Sequence, residues 1–105
     1  MYKQIEALDK LLERSGKKVL VLKHSTACPI SGRAKREVDG YLEDNPGAEV
    51  YLVVVQERRE VSNELEEKLG VRHETPQLLL IENGEVVDFW SHHGITREVV
   101  EQALG

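Results

Sequence analysis

A second cysteine is missing from this sequence of 105 residues. With Cys28 alone, no intramolecular disulfide can form, which excludes a secreted disulfide scaffold and any active site built on a cysteine pair within the chain. A basic excess is missing too. The 14 Lys and Arg stand against 19 Asp and Glu, a formal charge of -5. Whole-molecule charge therefore does not draw nucleic acid or an anionic membrane to the protein; only a local basic patch would. No apolar run is longer than Val50–Val55, far short of the about 20 residues of a membrane span, and the amino terminus is charged rather than signal-like. Repeats, linkers and low-complexity stretches are absent. These absences lead to the expectation of one soluble globular domain over residues 1–105 in a reducing cytoplasm, large enough to close a core without metal or disulfide staples.

What is present is a regular succession of patterns. Ile5, Leu8, Leu11 and Leu12 fall on one face at helical spacing, which predicts an amphipathic helix stopped by Ser15-Gly16. Val19-Leu20-Val21-Leu22 reads as a strand buried on both faces. Pro29 suits the first position of a helix, whose buried stripe is Ile30, Ala34, Val38 and Tyr41 and which Asn45-Pro46-Gly47 ends. Val50–Val55 is a second strand, and strand, helix, strand in that order predicts a parallel pair with a right-handed crossover. Ser62 is a good N-cap for a third helix carried by Val61, Leu65 and Leu69 and closed by Gly70. Gln77–Glu82 and Glu85–Ser91 are extended runs joined by Asn83-Gly84, a strong hairpin signal. Ile95 and Thr96, with Val100 beyond, form a hydrophobic staple around an N-cap, opening a terminal helix with apolar face Val99, Val100, Ala103 and Leu104. A βαβ unit followed by a ββα unit, on a mixed four-stranded sheet flanked by helices, is the α/β arrangement of the thioredoxin-like fold.

Cys28 falls between the first strand and the following helix, where its sulfur meets the positive end of a helix and free backbone N–H groups. The macrodipole by itself shifts a thiol by less than about one pKa unit, so a strongly acidic thiol needs direct hydrogen bonds as well, and Ser31 is placed to supply one. An ordinary cysteine is only a few per cent thiolate near neutral pH, so a lowered pKa separates a reactive cysteine from a small buried hydrophobe.

The residues around it match a family. Thr26-Ala27-Cys28-Pro29-Ile30-Ser31 resembles the TCPIS-type active site of the monothiol bacilliredoxins, thioredoxin-fold proteins that remove bacillithiol, a cysteine-glucosamine-malate thiol, from protein cysteines. Val61-Ser62-Asn63, Gly70-Val71-Arg72-His73-Glu74-Thr75-Pro76-Gln77, Ser91-His92 and Ile95-Thr96 resemble further signature segments in the same order. Thr75 stands where the family more often has Ser, and the helix after Ser62-Asn63 is rich in Glu. The resemblance implies that Cys28 takes bacillithiol from a client protein and that Ser31 occupies the place of a dithiol enzyme's resolving cysteine. Thr75-Pro76 would then be a cis bond beside the nucleophile, although X-Pro bonds are mostly trans. Thr26, Pro29, Thr75, Pro76 and His73 would contact substrate, and Arg33, Arg36, Arg72 and His73 would help hold the malate carboxylates if they flank the cleft, each arginine otherwise reading as charge on a solvated helix face or loop. No cofactor is implied beyond bacillithiol as co-substrate. The implied partners are bacillithiolated proteins and an external resolving thiol, from bacillithiol or another redox protein.

The remaining motifs carry less. His24, His73, His92 and His93 suggest a metal, and His92-His93 can be drawn with Cys28, but adjacent strand residues point to opposite faces and no ligand spacing recurs, so no metal is expected. Glu57-Arg58-Arg59-Glu60 reads as solvated loop charge, and Trp90 as packing. Three other functions are compatible with a lone cysteine on such a domain. A monothiol-glutaredoxin-like iron–sulfur carrier usually has CGFS, where this chain has Pro29; a thiol peroxidase usually has threonine where this chain has Ser25; a thioredoxin-like adaptor needs no chemistry at all.

Overall fold

Two apolar runs, Val19-Leu20-Val21-Leu22 and Leu78-Leu79-Leu80-Ile81, lie side by side at the centre of a four-stranded sheet, each residue at most 7% exposed. The computed structural model describes residues 2–13 and 16–104. Its strands are β1 (Lys18–His24), β2 (Val50–Val54), β3 (Gln77–Glu82) and β4 (Glu85–Ser91), in the order β2-β1-β3-β4. β2 is parallel to β1, with Leu22 opposite Leu52, while β3 runs antiparallel to both β1 and β4. The helices are α1 (Leu8–Leu12), α2 (Pro29–Asp44), α3 (Arg59–Leu69) and α4 (Arg97–Leu104).

Alternation along the central strands divides the core into two layers. Leu20, Leu22, Leu78 and Leu80 pack against Ala34 and Val38 of α2 and Val100 and Ala103 of α4. Val19, Val21, Leu79 and Ile81 pack against Leu8 and Leu11 of α1 and Val61 and Leu65 of α3. Each fully buried Leu, Ile or Val contributes about 1.5–3 kcal/mol.

The hairpin strands have the bounds read from the sequence, and Asn83 and Gly84 both take positive φ, 54° and 78°, as a tight primed turn requires. A Cβ on Gly84 would stand 2.7 Å from the Leu12 carbonyl oxygen. Gly70 closes α3 in the left-handed conformation, and Thr96 Oγ1 accepts the Val99 N–H at 3.2 Å at the start of α4.

Four expectations need correction. The first helix begins only at Leu8. Residues before it run extended along β2, where the Lys3 N–H donates to the Val50 carbonyl at 2.8 Å and the Leu52 N–H to the Lys3 carbonyl at 3.0 Å. Bonding to an open sheet edge outweighs the weak tendency of a short segment to remain helical, and Ile5 is buried by that path. Of its proposed stop, Ser15 lies outside the described residues, while the Gly16 N–H donates to Asn83 Oδ1 at 2.8 Å. The third helix starts at Arg59, with Arg58 as N-cap, so Ser62 sits inside its first turns and is buried. Ile30 is only half-buried, and Leu42 completes the stripe of α2. The second strand ends at Val54, one residue early; the Val55 N–H bonds the His24 carbonyl at 2.9 Å.

Candidate functional site

Strand directions bring four chain segments to one end of the sheet. β1 and β2 are parallel, β3 opposes them and β4 opposes β3, so the carboxyl ends of β1, β2 and β4 meet the amino end of β3. Ser25–Cys28, the turn at Gln56, the loop through Thr75-Pro76 and the short turn at His92–Gly94 therefore share that end.

Cys28 is the N-cap of α2, extended at φ -114° and ψ 120°, and its carbonyl accepts the Gly32 N–H at 3.3 Å. Pro29 at the first helical position has no N–H, so the first free amides belong to Ile30 and Ser31. The half-buried Cys28 thiol is held below its ordinary pKa chiefly by the Ser31 backbone N–H; burial opposes this, and the Ile30 N–H and then the Ser31 hydroxyl add to it. Ser31 Oγ is fully buried and makes no hydrogen bond of ordinary geometry, which accounts for its small share. Backbone amides at a helix start thus carry most of the effect.

The turn before Cys28 is held from β2. Gln56 Nε2 donates to Ser25 Oγ at 2.7 Å, and Gln56 Oε1 accepts the Thr26 N–H at 3.3 Å. Ser25 Oγ also accepts the Ala27 N–H at 3.3 Å.

Thr75-Pro76 is a cis peptide, and Pro76 is buried. The Pro76 carbonyl accepts the His92 N–H at 3.0 Å, with His92 itself at φ 53°. Gln77 Nε2 donates to the Arg72 carbonyl at 2.9 Å and Ser91 Oγ to Glu74 Oε1 at 2.9 Å, so the loop is fastened on both sides of His73.

His73 faces α3. Its Nδ1 lies 3.3 Å from Ser62 Oγ, and its backbone N–H donates to Glu66 Oε2 at 2.6 Å. Burial and then the Lys23 charge lower the His73 pKa, against Glu66 and Glu74. Lys23 is only 1% exposed, and burial pushes its ammonium down to about 8, partly offset by Glu66. Burial also lowers the His24 pKa, Lys35 adding to it while the Ser31 backbone and Asp39 oppose. Among the described residues, the buried side-chain atoms without a hydrogen-bond partner are His24 Nδ1, Ser31 Oγ and Gln77 Oε1, and all three belong to this end of the sheet. Such atoms are rare in folded proteins.

The structure brings Thr26, Cys28, Pro29, Ser31, Thr75, Pro76 and His73 to this end. Arg33 and Arg36 are exposed on α2, and Arg72 is exposed in the loop. Among the described residues, no three His, Cys, Asp or Glu side chains converge to hold a metal ion, and no helix is long and apolar enough to cross a membrane. Gln56, Lys23 and Gln77 escaped the sequence reading. The signal for Gln56 was topological: it follows the carboxyl end of a strand parallel to β1, where ligand-facing loops of α/β sheets lie. A half-exposed thiol with a lowered pKa and no second cysteine can attack a disulfide sulfur but cannot release itself.

The sequence matches the family described as monothiol bacilliredoxin BrxC over residues 2–100. A solved structure described as having a thioredoxin fold, and as a candidate oxidoreductase, is 33% identical with a TM-score of 0.82, covering 95% of this chain and 90% of its own. Thioredoxin from Fasciola hepatica is 20% identical with a TM-score of 0.70 over 96% of this chain and 91% of its own. Thioredoxin from Malassezia sympodialis is 20% identical with a TM-score of 0.72 over 99% and 88%. At that identity the two thioredoxins show the fold alone.

Proposed function

The chain belongs to the monothiol bacilliredoxin family, and from that membership we propose that Cys28 removes bacillithiol from protein mixed disulfides. A thiol-redox role on a thioredoxin-like fold follows from the family and from the 33% identical neighbour. The finer reading is supported by one observation above the others: the only cysteine is placed where two free backbone amides lower its pKa.

In the proposed reaction the Cys28 thiolate attacks the bacillithiol sulfur of a client mixed disulfide. A bond forms between Cys28 Sγ and that sulfur, the client's bond to it breaks, and the client cysteine leaves with the electron pair as a thiolate. A second thiolate, from free bacillithiol or another redox protein, then attacks the same sulfur and Cys28 departs as thiolate, now poised for another client. The amides of Ile30 and Ser31 favour both steps in which Cys28 is the anion, as attacker and as leaving group. Thr26, Pro29, Thr75 and Pro76 are proposed to face the incoming mixed disulfide and His73 to border it, with Ser31 as the small neighbour of the sulfur. Bacillithiol is co-substrate, and no bound cofactor takes part.

Release of client thiol from a bacillithiolated reporter tests this. Catalytic amounts of protein should give one turnover without added thiol and many when bacillithiol is supplied. Multiple turnovers without any external thiol, or none in its presence, would refute the monothiol cycle.

A further inference from the structure

A cleft of about 300 Å³ opens between the segment after β2, the first turns of α3 and His73, lined by Val55, Gln56, Arg59, Ser62, Asn63 and His73. That is the lower end of the range, about 300–1,000 Å³, for small-molecule sites. Two other clefts lie along the amino-terminal segment beside Tyr51 and around Tyr41 and Asn45, and neither includes a residue of the Cys28 end. This one is joined to the nucleophile. Gln56 lines it and also bonds Ser25 and Thr26, and Thr26 is two residues, at most about 7 Å of chain, from Cys28.

Its lining is polar apart from Val55. Two neighbouring arginines at the start of α3 have different employment. Arg58 donates through Nη2 to the Ile5 carbonyl at 2.8 Å and pairs with Glu60 at 3.5 Å, so it fastens the amino-terminal segment. The Arg59 guanidinium, on the cleft, forms no hydrogen bond or ion pair among the described residues, and neither does the Asn63 side-chain amide. Glu60 is engaged with Arg58, and Glu66 with the His73 N–H. Ser62 and His73 hold each other across the cleft wall. A planar guanidinium in a partly enclosed site takes a carboxylate through two parallel hydrogen bonds, and neighbouring amides and hydroxyls suit a polyol.

We propose that this cleft receives the part of the small-thiol adduct beyond its cysteine, a hydroxylated and carboxylate-bearing group, with Arg59 as the specificity-determining residue. The inference rests on the reading of Cys28 as acceptor of such an adduct. It places the carboxylate on Arg59, in the segment that the sequence presents as solvated loop charge, rather than on Arg33, Arg36 or Arg72, none of which lines the cleft.

Two measurements separate this inference from its premise. First, the protein is titrated with thiol-free malyl glucosaminide while its amide resonances are followed. Saturable shifts at Arg59, Asn63 and His73 are expected at about millimolar probe, an affinity suited to one short contact surface. Shifts confined to His92–Gly94, or none, would overturn the cleft assignment. Second, transfer from one client carrying either bacillithiol or 2-mercaptoethanol is compared across variants. Arg59→Ala should lower the ratio of the two rates about tenfold, the worth of a charge-assisted contact, and Arg59→Lys should lower it less. An unchanged ratio in Arg59→Ala sinks the cleft and leaves the function standing. Probe binding in the cleft with no transfer by the unmodified protein sinks the function and supports the cleft.

Discussion

Gln56 and Ser25 are 31 residues apart in sequence and 2.7 Å apart in space, amide to hydroxyl, and this bond fastens the carboxyl end of β2 to the turn that presents Cys28. The same amide accepts the Thr26 N–H. Replacing Gln56 with Ala removes both bonds. Urea unfolding should show a loss of about 1–2 kcal/mol, two hydrogen bonds of ordinary worth. The alkylation rate of Cys28 should fall as well, because the turn is no longer held. A stability loss with no change in that rate would show that the turn keeps its geometry unaided.

Ser31→Ala should raise the Cys28 pKa only slightly, because the Ser31 backbone N–H, which the substitution keeps, lowers the thiol more than its hydroxyl does. The pH dependence of thiolate absorbance measures this directly. A return of the thiol to its ordinary value in Ser31→Ala would mean that the hydroxyl, not the backbone, governs the sulfur.

The lowered Cys28 pKa carries a consequence for stability with a definite sign. A group whose folded pKa is depressed stabilises the fold above its unfolded pKa, about 8.5 for cysteine, and that contribution is lost as pH falls through the folded value. The stability difference between the unmodified protein and Cys28→Ser should therefore widen in favour of the former as pH rises towards about 8.5. Denaturant curves at a series of pH values test it; a difference independent of pH would contradict the assignment.

Lys23 is lowered as well, but by a penalty on its charged form rather than by hydrogen bonds to it. Its ammonium is pushed from 10.5 to about 8 by burial, so between those values the unfolded chain binds more protons and stability rises with pH. Below about 8 the buried charge is a full liability. Lys23→Met should add about 1–3 kcal/mol at neutral pH and flatten the rise. Destabilisation by Lys23→Met would indicate that the ammonium is held by contacts stronger than its burial cost.

Much of the fold was legible in the sequence because local chemistry and tertiary demand agree there. Asn83-Gly84 favours left-handed backbone and lies where two strands must reverse; Pro29, Gly70 and Thr96 mark helix ends by mechanisms that act within one turn. The misreadings arose where distant contacts decide. Ile5 continues the helical pattern of Leu8, Leu11 and Leu12, but the segment before Leu8 meets the edge of β2, and Ser62 has the chemistry of a cap but faces His73, 11 residues away. Cys28 could be found because a strand-to-helix junction is a local feature and its motif is contiguous. The cleft could not, since its walls come from three segments whose meeting is set by sheet topology.

The central claim is that Cys28 accepts bacillithiol from a protein. Intact mass spectrometry of the reduced protein and of Cys28→Ser, each mixed with a bacillithiolated client and separately with a glutathionylated one, tests it most directly. The expected result is one bacillithiol on the unmodified protein, free client thiol in equal amount, little transfer of glutathione, and no adduct on Cys28→Ser. A Cys28 that alkylates readily yet takes neither thiol from either client would contradict the account.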